Sequence, residues 1–294
     1  MTDGMRIGWS LPTMIAGVDG PTVLEWCRRI EADGYSTIGF GERIAYQNLE
    51  LFSVLSAAAA VTERVRLMSS IVVLPLHSET WVAKQSATLD VLSGGRYTLG
   101  VGVGGRNEDY RAVGASFARR FDRLDAQVDR IRSLWSQVPP EPDLEPVGPA
   151  PVQGHLPILS GAMGPRSIAR SAQWADGIAG FEMDPSAEAL ERSASAMTEA
   201  WEAAGRDTAP YRMTSFWFAL GPDAEAQLRR YAYRYLSVFG DEFAAALAGS
   251  CTAAGPDAIR RAVDQARAAG FDEIQLVPTT TDIAELDRMA EVLA

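Results

Sequence analysis

The chain has 294 residues, of which 47% are hydrophobic and 22% charged, a composition that is ordinary for a globular enzyme and sufficient for a sizeable core. Its net charge of −11 comes without a basic run that could follow a phosphate backbone, which argues against nucleic-acid binding. No apolar stretch approaches the roughly 18 residues of a membrane span, and residues 1–12 do not resemble a secretory leader, so we expect a cytoplasmic protein.

Short apolar runs typical of buried parallel strands alternate along the chain with stripes of three- and four-residue spacing typical of helices. Strands are predicted at residues 6–11, 35–40, 67–74, 97–103, 156–160, 175–181, 211–220 and 272–277. Helices are predicted at residues 21–32, 51–62, 81–92, 119–135, 166–174, 186–203, 224–248, 257–269 and 283–293. The proline-rich stretch near residues 138–155 is predicted as a surface loop, because the same alternation resumes after it.

Eight strands that alternate with helices over this length predict an α/β protein with one domain, a closed (β/α)8 TIM barrel spanning residues 1–294. An open doubly wound sheet is the alternative, but it does not usually need eight repeats. In such a barrel the functional site lies at the carboxyl ends of the strands. Residues that directly follow a strand are therefore the candidates, and Trp9 and Trp217, which lie within strands, are assigned to packing.

Residues 66–114 read as strand, helix, strand and glycine-rich turn, which is a βαβ unit of a parallel sheet. The turn contains Gly102, Gly104 and Gly105, where a ligand could approach the bare backbone, although glycines after a strand also serve as plain structural turns. A second turn, SGAMGPR at residues 160–166, places small residues between a strand and a helix. It is either a phosphate site at a helix N-terminus or a tight connection.

The block TLDVLSGGRYTLGVGVGG at residues 88–105, preceded by VVLPLH and followed by NEDYRAVG, resembles the luciferase-like monooxygenase family of flavin- and deazaflavin-dependent oxidoreductases. The resemblance implies a TIM-barrel enzyme that binds an isoalloxazine-type cofactor and acts on a small organic substrate, and it implies a homodimer. It further implies a non-proline cis peptide at Ser70-Ile71, beneath the cofactor ring. The implied cofactor-binding residues are Ser70, Ile71, Val72, Gly102, Val103, Gly104, Gly105, Asn107, Gly161, Ala162, Met163, Gly164 and Pro165.

The choice of cofactor also rests on the resemblance. Relatives that use flavin mononucleotide (FMN) often hold its phosphate with an arginine just after the fourth strand, where this chain has Val103. We therefore expect the deazaflavin coenzyme F420 and hydride transfer. The first alternative is an FMN-dependent monooxygenase that uses reduced flavin and molecular oxygen. The second alternative is a barrel that has lost catalysis and serves as a binding or structural subunit.

Two polar residues at strand ends are the candidate catalytic groups. His77 could donate to the cofactor or act as an acid or base near neutral pH, or it could be a simple loop histidine. Glu42, followed by Arg43, stands where F420-dependent relatives often have Asp-His, so it is either a proton-relay residue or part of a salt-bridged rim. With only two histidines, the chain has no evident set of metal ligands, and no metal is expected.

Overall fold

The computed structural model describes residues 4–12 and 14–294, which form a closed parallel barrel surrounded by helices. Nine strand segments contribute to the sheet: β1 (Arg6–Ser10), β2 (Thr37–Phe40), β3 (Arg66–Ser69), β4 (Val72–Val73), β5 (Tyr97–Gly102), β6 (Ile158–Ser160), β7 (Gly177–Ala179), β8 (Tyr211–Phe218) and β9 (Glu273–Pro278). β3 and β4 follow each other in the third position and both pair with β5, which closes the ring of eight strands. The predicted (β/α)8 fold is confirmed.

Eleven helices are formed by the described residues: α1 (Gly20–Ala32), α2 (Leu51–Val61), α3 (Glu79–Ser93), α4 (Asn107–Ala112), α5 (Arg120–Trp135), α6 (Pro165–Ser171), α7 (Ala187–Ala203), α8 (Ala224–Leu236), α9 (Asp241–Gly249), α10 (Pro256–Ala268) and α11 (Ala284–Leu293). None of them combines the length and apolar character needed to cross a membrane, within the ranges that the structure describes.

The core lies between the barrel strands and the inner faces of the helices. α5 illustrates why the helices dock: its predicted apolar stripe buries Leu124, Val128, Ile131 and Leu134, while charged residues such as Asp122 and Asp129 are exposed. Each such side chain contributes about 1.5–3 kcal/mol when it is fully buried. The inner strand β5 is buried along its whole length, as expected for a parallel strand covered on both faces.

Three elements differ from the sequence prediction. The third strand does not run unbroken to Leu74, because a cis peptide at Ser70-Ile71 interrupts it and a short 3-10 helix begins at Leu74. The helix predicted at residues 224–248 is two helices: α8 ends at Leu236, a 3-10 turn covers Ser237–Phe239, and α9 begins after Gly240, whose φ of +104° lies outside the helical region. The six-residue helix α4 had no apolar stripe to reveal it, and Glu108 in its first turn favours it.

The proline-rich stretch forms neither helix nor strand, as predicted. The segment is nevertheless tied to the barrel: Gln153 Nε2 donates to Asp90 Oδ1 at 2.6 Å and to the backbone oxygen of Tyr97 at 2.7 Å. Lys84 Nζ donates to the backbone oxygen of Gly148 at 2.9 Å. These bonds hold the loop against α3 and the start of β5, away from the carboxyl ends of the strands.

Candidate active site

A deep cavity of about 740 Å3 opens at the carboxyl ends of the strands, where the fold predicts the site. Its volume lies within the roughly 300–1,000 Å3 of typical small-molecule sites. Eleven of the predicted site residues line it: Glu42, Ser70, Ile71, Gly102, Val103, Gly104, Gly105, Gly161, Ala162, Met163 and Gly164. The two glycine-bearing turns therefore belong to one cavity.

Ile71 forms the part of the floor where these turns meet. The peptide bond before it is cis, as the resemblance implied. A Cβ placed on Gly102 would lie 2.8 Å from Ile71 Cδ1, and one on Gly161 would lie 3.1 Å from Ile71 Cγ2. These two glycines are thus required by the packing of Ile71, whether or not a ligand also approaches them.

The remaining glycines of the two turns differ in their surroundings. Gly104 has φ +61°, and its Cβ would lie 2.7 Å from Val73 Cγ1, so packing also explains this glycine. Gly105 is exposed, with Phe239 as its nearest neighbour at 3.6 Å. Gly164 has only Ser167 Oγ within reach, at 3.9 Å. Gly105 and Gly164 are therefore the two positions where a side chain would enter free space.

The turn after β6 offers fewer free amides than its sequence suggested. The backbone nitrogen of Gly161 donates to the backbone oxygen of Val101 at 2.8 Å, and that of Gly164 donates to Ser167 Oγ at 3.2 Å. Within residues 4–12 and 14–294, the structure gives no partner to the amides of Ala162 and Met163. Because α6 has only seven residues, its dipole is a minor attraction for a phosphate, and these two amides are what the turn provides.

Glu42 and His77 form one hydrogen-bonded pair at the edge of the cavity. His77 Nε2 lies 2.8 Å from Glu42 Oε1, and the backbone nitrogen of Val73 donates to Glu42 Oε2 at 2.7 Å. The Glu42 side chain is 5% exposed and the His77 side chain 25%. Glu42 lines the cavity and His77 stands behind it, so the histidine acts on the site through the carboxylate.

The charge of Glu42 sets the ionisation of the histidine. Burial alone would lower the pKa of His77, but the hydrogen bond and the negative charge of Glu42 outweigh it and raise the pKa above its ordinary value. The pair can therefore retain a proton at His77 Nε2 at a pH where a free histidine would have lost it.

Three other predicted site residues lie outside the cavity. Val72 is fully buried in β4, where it pairs with Val101, so its side chain belongs to the core. Asn107 is exposed at the start of α4, and Pro165 begins α6 on the outer side of the turn. None of the three lines the cavity.

An aromatic wall that the sequence did not predict covers one side of the cavity. Trp217 lines it and is not simply a packing residue: its ring lies 4.8 Å from that of Phe181, 5.6 Å from Tyr231 and 5.0 Å from Tyr235, measured between centroids. The alternation along β8, where Ser215 and Trp217 face the cavity, was the available signal.

Gln275 is a second residue that sequence reasoning missed. It lies in β9, is 1% exposed and lines the floor, and its Nε2 has no hydrogen-bond partner among the described residues. A Cβ on Gly39 would lie 1.7 Å from that nitrogen, so the glycine makes the space that the amide occupies. A polar residue inside a buried strand was the signal that could have identified it.

No group of three histidine, cysteine or carboxylate side chains is placed to hold a metal ion in the part of the chain that the structure describes. The polar groups that line the cavity are amides, hydroxyls, arginines and the carboxylates of Glu42, Asp109 and Asp125. Such a set suits an organic ligand with hydrogen-bonding atoms and negative charge.

A family model described as luciferase-like monooxygenase matches residues 5–292. The chain belongs to this family. The family predicted from the glycine-rich block is confirmed. An uncharacterized protein of Mycobacterium tuberculosis, Rv0953c, is 34% identical over 175 residues, which cover 56% of this chain and 60% of that relative.

Two further relatives are named as different kinds of enzyme, an F420-dependent oxidoreductase and a monooxygenase. Rv3520c of Mycobacterium tuberculosis, provisionally named a coenzyme F420-dependent oxidoreductase, is 30% identical over 60% of this chain and 55% of its own length. Pyrimidine monooxygenase RutA of Shigella flexneri is 27% identical over 59% of this chain and 49% of its own length. These two alignments span 55% and 49% of the relatives' own lengths, about half of each.

Solved structures share the fold over nearly the whole chain. An F420-dependent secondary alcohol dehydrogenase in complex with an F420-acetone adduct has a TM-score of 0.82 at 19% identity, with 98% of both chains covered. The oxygenating constituent of 3,6-diketocamphane monooxygenase from Pseudomonas putida, in complex with FMN, has a TM-score of 0.73 at 15% identity, covering 99% of this chain and 96% of that one.

Proposed function

We propose that the protein is an oxidoreductase that binds F420 in the cavity and transfers hydride between the cofactor ring and a small organic substrate. The observation that carries this proposal is the convergence of two glycine-bearing strand ends on Ile71, at the floor of one deep cavity. If the turns at Gly102 and Gly161 opened on different sides of the molecule, no single pocket could hold a ring and its phosphate.

The residues present fit a planar, partly polar cofactor. The cavity is large enough for a tricyclic ring, and Ile71 and Val103 supply apolar surface for it. Gln275 Nε2, a buried donor without a partner among residues 4–12 and 14–294, suits an acceptor atom of the ring. We assign the phosphate to the amides of Ala162 and Met163. When bound, F420 would supply a ring carbon that accepts or donates hydride.

The chain's own contribution to the reaction would be positioning, exclusion of water and control of a proton. The Glu42–His77 pair holds that proton, because His77 Nε2 lies 2.8 Å from a carboxylate that faces the cavity. The aromatic wall around Trp217 keeps water away from the same space. A low-dielectric site of this kind strengthens every charge interaction inside it.

The preference for F420 over FMN is supported by Val103, which occupies the place of the arginine that often holds the FMN phosphate in this family. A relative and a solved structure of the same fold, both with F420 in their names, also support this preference. FMN with molecular oxygen is the competing mode, since RutA and the diketocamphane enzyme are monooxygenases.

Fluorescence titration of the purified protein with F420 and, separately, with FMN tests the proposal. We expect saturable quenching by F420 at a Kd at least tenfold below that of FMN. Tighter binding of FMN than of F420 would instead favour an FMN-dependent monooxygenase. Binding of neither cofactor would refute the enzyme assignment and favour a barrel without catalysis.

The resemblance also supports a cytoplasmic homodimer that acts on small molecules. Light scattering of the purified protein during size-exclusion chromatography tests the dimer, which predicts twice the 31.7 kDa mass of the chain. A monomer at that mass would refute this part of the proposal.

A further inference from the structure

Two arginines are buried in the wall of the cavity. Arg43 follows β2 and is 9% exposed, and Arg106 precedes α4 and is 7% exposed. Both guanidinium groups lie against the ring of Tyr235, at 5.7 Å and 4.2 Å from its centroid, so the two positive charges share one neighbourhood. Burying two like charges together is costly unless a negative charge accompanies them.

The protein itself supplies only part of that negative charge. Asp109 Oδ2 lies 3.6 Å from Arg43 Nε, beyond hydrogen-bonding distance, while its Oδ1 accepts from the backbone nitrogens of Ile44 at 3.1 Å and Ala45 at 2.7 Å. Arg106 Nη2 donates to the backbone oxygen of Tyr235 at 2.7 Å, which carries no full charge. The Nε atoms of both arginines are buried without a hydrogen-bond partner among the described residues.

The other carboxylates that line the cavity already have hydrogen-bonded partners of their own. Glu42 is bonded to His77 and to the backbone nitrogen of Val73. Asp125 is bonded to Arg170 and accepts from Trp174 Nε1 at 2.9 Å. Burial, reinforced by the nearby charge of Arg106, lowers the pKa of Arg43, which agrees with an incompletely neutralised pair.

The surroundings of the pair indicate the rest of the ligand. The cavity wall beside Tyr235 consists of apolar and aromatic side chains: Trp217, Tyr231, Leu236, Phe239, Phe243 and Leu247. A ligand that fills this space needs an apolar body, and its charged group must reach the guanidinium groups. Arginine suits carboxylates because its planar fork can donate two parallel hydrogen bonds.

We propose that Arg43 and Arg106 form an anion-recognition site for the substrate, which is an apolar organic molecule that carries a carboxylate or a comparable anionic group. This inference rests on the proposed function, because it assigns the substrate of the same cavity. The phosphate or acidic tail of the cofactor is the other source of such an anion. The substrate is favoured because we assign the cofactor phosphate to the turn after β6, whereas Arg43 and Arg106 lie in the connections that follow β2 and β5.

Binding of simple carboxylates and their amides to the cofactor-free protein tests the site. Calorimetric titrations would compare benzoate with benzamide and cyclohexanecarboxylate with its amide, since each pair differs mainly in charge. We expect at least one carboxylate to bind tenfold or more tightly than its amide. Equal affinities in both pairs would overturn the proposal.

Variants identify the residues responsible. Arg43→Gln and Arg106→Gln should each reduce the carboxylate preference to twofold or less. Asp109→Asn should increase it severalfold, because it removes the negative charge of the carboxylate beside Arg43. Arg192→Gln on the exposed face of α7 is the matched control and should leave the preference unchanged. If Arg43→Gln does not fold, Arg106→Gln decides, since this arginine contacts a backbone oxygen and no carboxylate.

Fluorescence titration of the same variants with F420 and FMN separates the two sources of the anion. Unchanged cofactor affinity in Arg106→Gln supports the substrate assignment. A tenfold loss of cofactor affinity would assign the anion to the cofactor and overturn the proposal. If the unaltered protein binds no cofactor but prefers carboxylates, the proposed function fails while the anion site stands.

Discussion

The Glu42–His77 pair allows a prediction whose magnitude depends on pH. Glu42→Gln keeps the size of the side chain and an acceptor for the backbone nitrogen of Val73, but it removes the negative charge beside His77. The amide of glutamine can then face His77 Nε2 only if that nitrogen is unprotonated. The substitution therefore deletes the charge-assisted part of the interaction and little else.

The expected cost follows from the geometry. Hydrogen bonds to charged groups contribute about 1.5–3 kcal/mol and neutral ones about 0.5–1.5 kcal/mol, so the variant should lose about 1–2 kcal/mol where His77 is protonated. Because Glu42 raises the pKa of His77 above the reference value of 6.5, this stability is fully present below about pH 6.5 and is lost as the pH rises through the pKa of the folded state. At about pH 9 the difference should be smaller than at about pH 5.5.

Urea unfolding of both proteins at about pH 5.5 and about pH 9 measures the free energies of unfolding. Glu188→Gln, whose side chain is 90% exposed and pairs only with Arg192, is the control and should change stability by less than about 0.5 kcal/mol at either pH. A loss for Glu42→Gln that is equal at the two pH values, or larger at the higher one, would refute the assignment of a protonated His77.

Three further predictions concern the glycines and cysteines. Gly164→Val should lower cofactor affinity at least about tenfold while the thermal midpoint changes by less than about 3 °C, because only Ser167 Oγ approaches the new side chain, at 3.9 Å; unchanged affinity in fluorescence titration would remove this turn from the site. Gly104→Ala should cost about 1–3 kcal/mol in urea unfolding, since φ is +61° and Val73 Cγ1 lies 2.7 Å from the added methyl group; full stability would contradict the packing explanation. Burial raises the pKa of Cys27 to about 12 and that of Cys251 to about 11, so neither thiol should react quickly with a disulfide reagent at about pH 8 unless the protein is unfolded; a fast-reacting thiol in the native protein would refute this.

The parts of the fold that the sequence predicts are those decided by local periodicity. The stripe of α5 was predicted at residues 119–135 and forms over Arg120–Trp135, because residues three and four apart decide which face is buried. The break between α8 and α9 was missed for the same reason: the apolar pattern continues on both sides, and a short 3-10 turn at Ser237–Phe239 followed by the positive φ of Gly240 separates the two helices. Periodicity reports which face of a helix is buried, but not where the helix axis turns.

The candidate site was predictable where the chain carries a family pattern and unpredictable where distant segments meet. The turns at Gly102 and Gly161 were found because small residues follow strands. The contact between Arg106 and Tyr235 joins positions 129 residues apart, and no local signal reports it. His77 was identified, but its role behind Glu42 depends on a pairing across 35 residues that only the folded barrel brings about.

The polar floor of the cavity gives a physical reason why the site lies at this end of the barrel. Interior positions of such barrels are usually filled by branched apolar residues, yet Ser10, Ser160, Ser215 and Gln275 face the cavity from four different strands. Ser215 satisfies its hydroxyl with the backbone oxygen of Gly180 at 2.8 Å, whereas the amide of Gln275 keeps an unpaired donor. A buried donor of this kind destabilises the free protein by about 1–3 kcal/mol, and a ligand with an acceptor at that point removes the penalty. Replacing the amide with an apolar side chain should therefore stabilise the free protein and weaken ligand binding. If the glutamine were purely structural, the same substitution would destabilise the free protein.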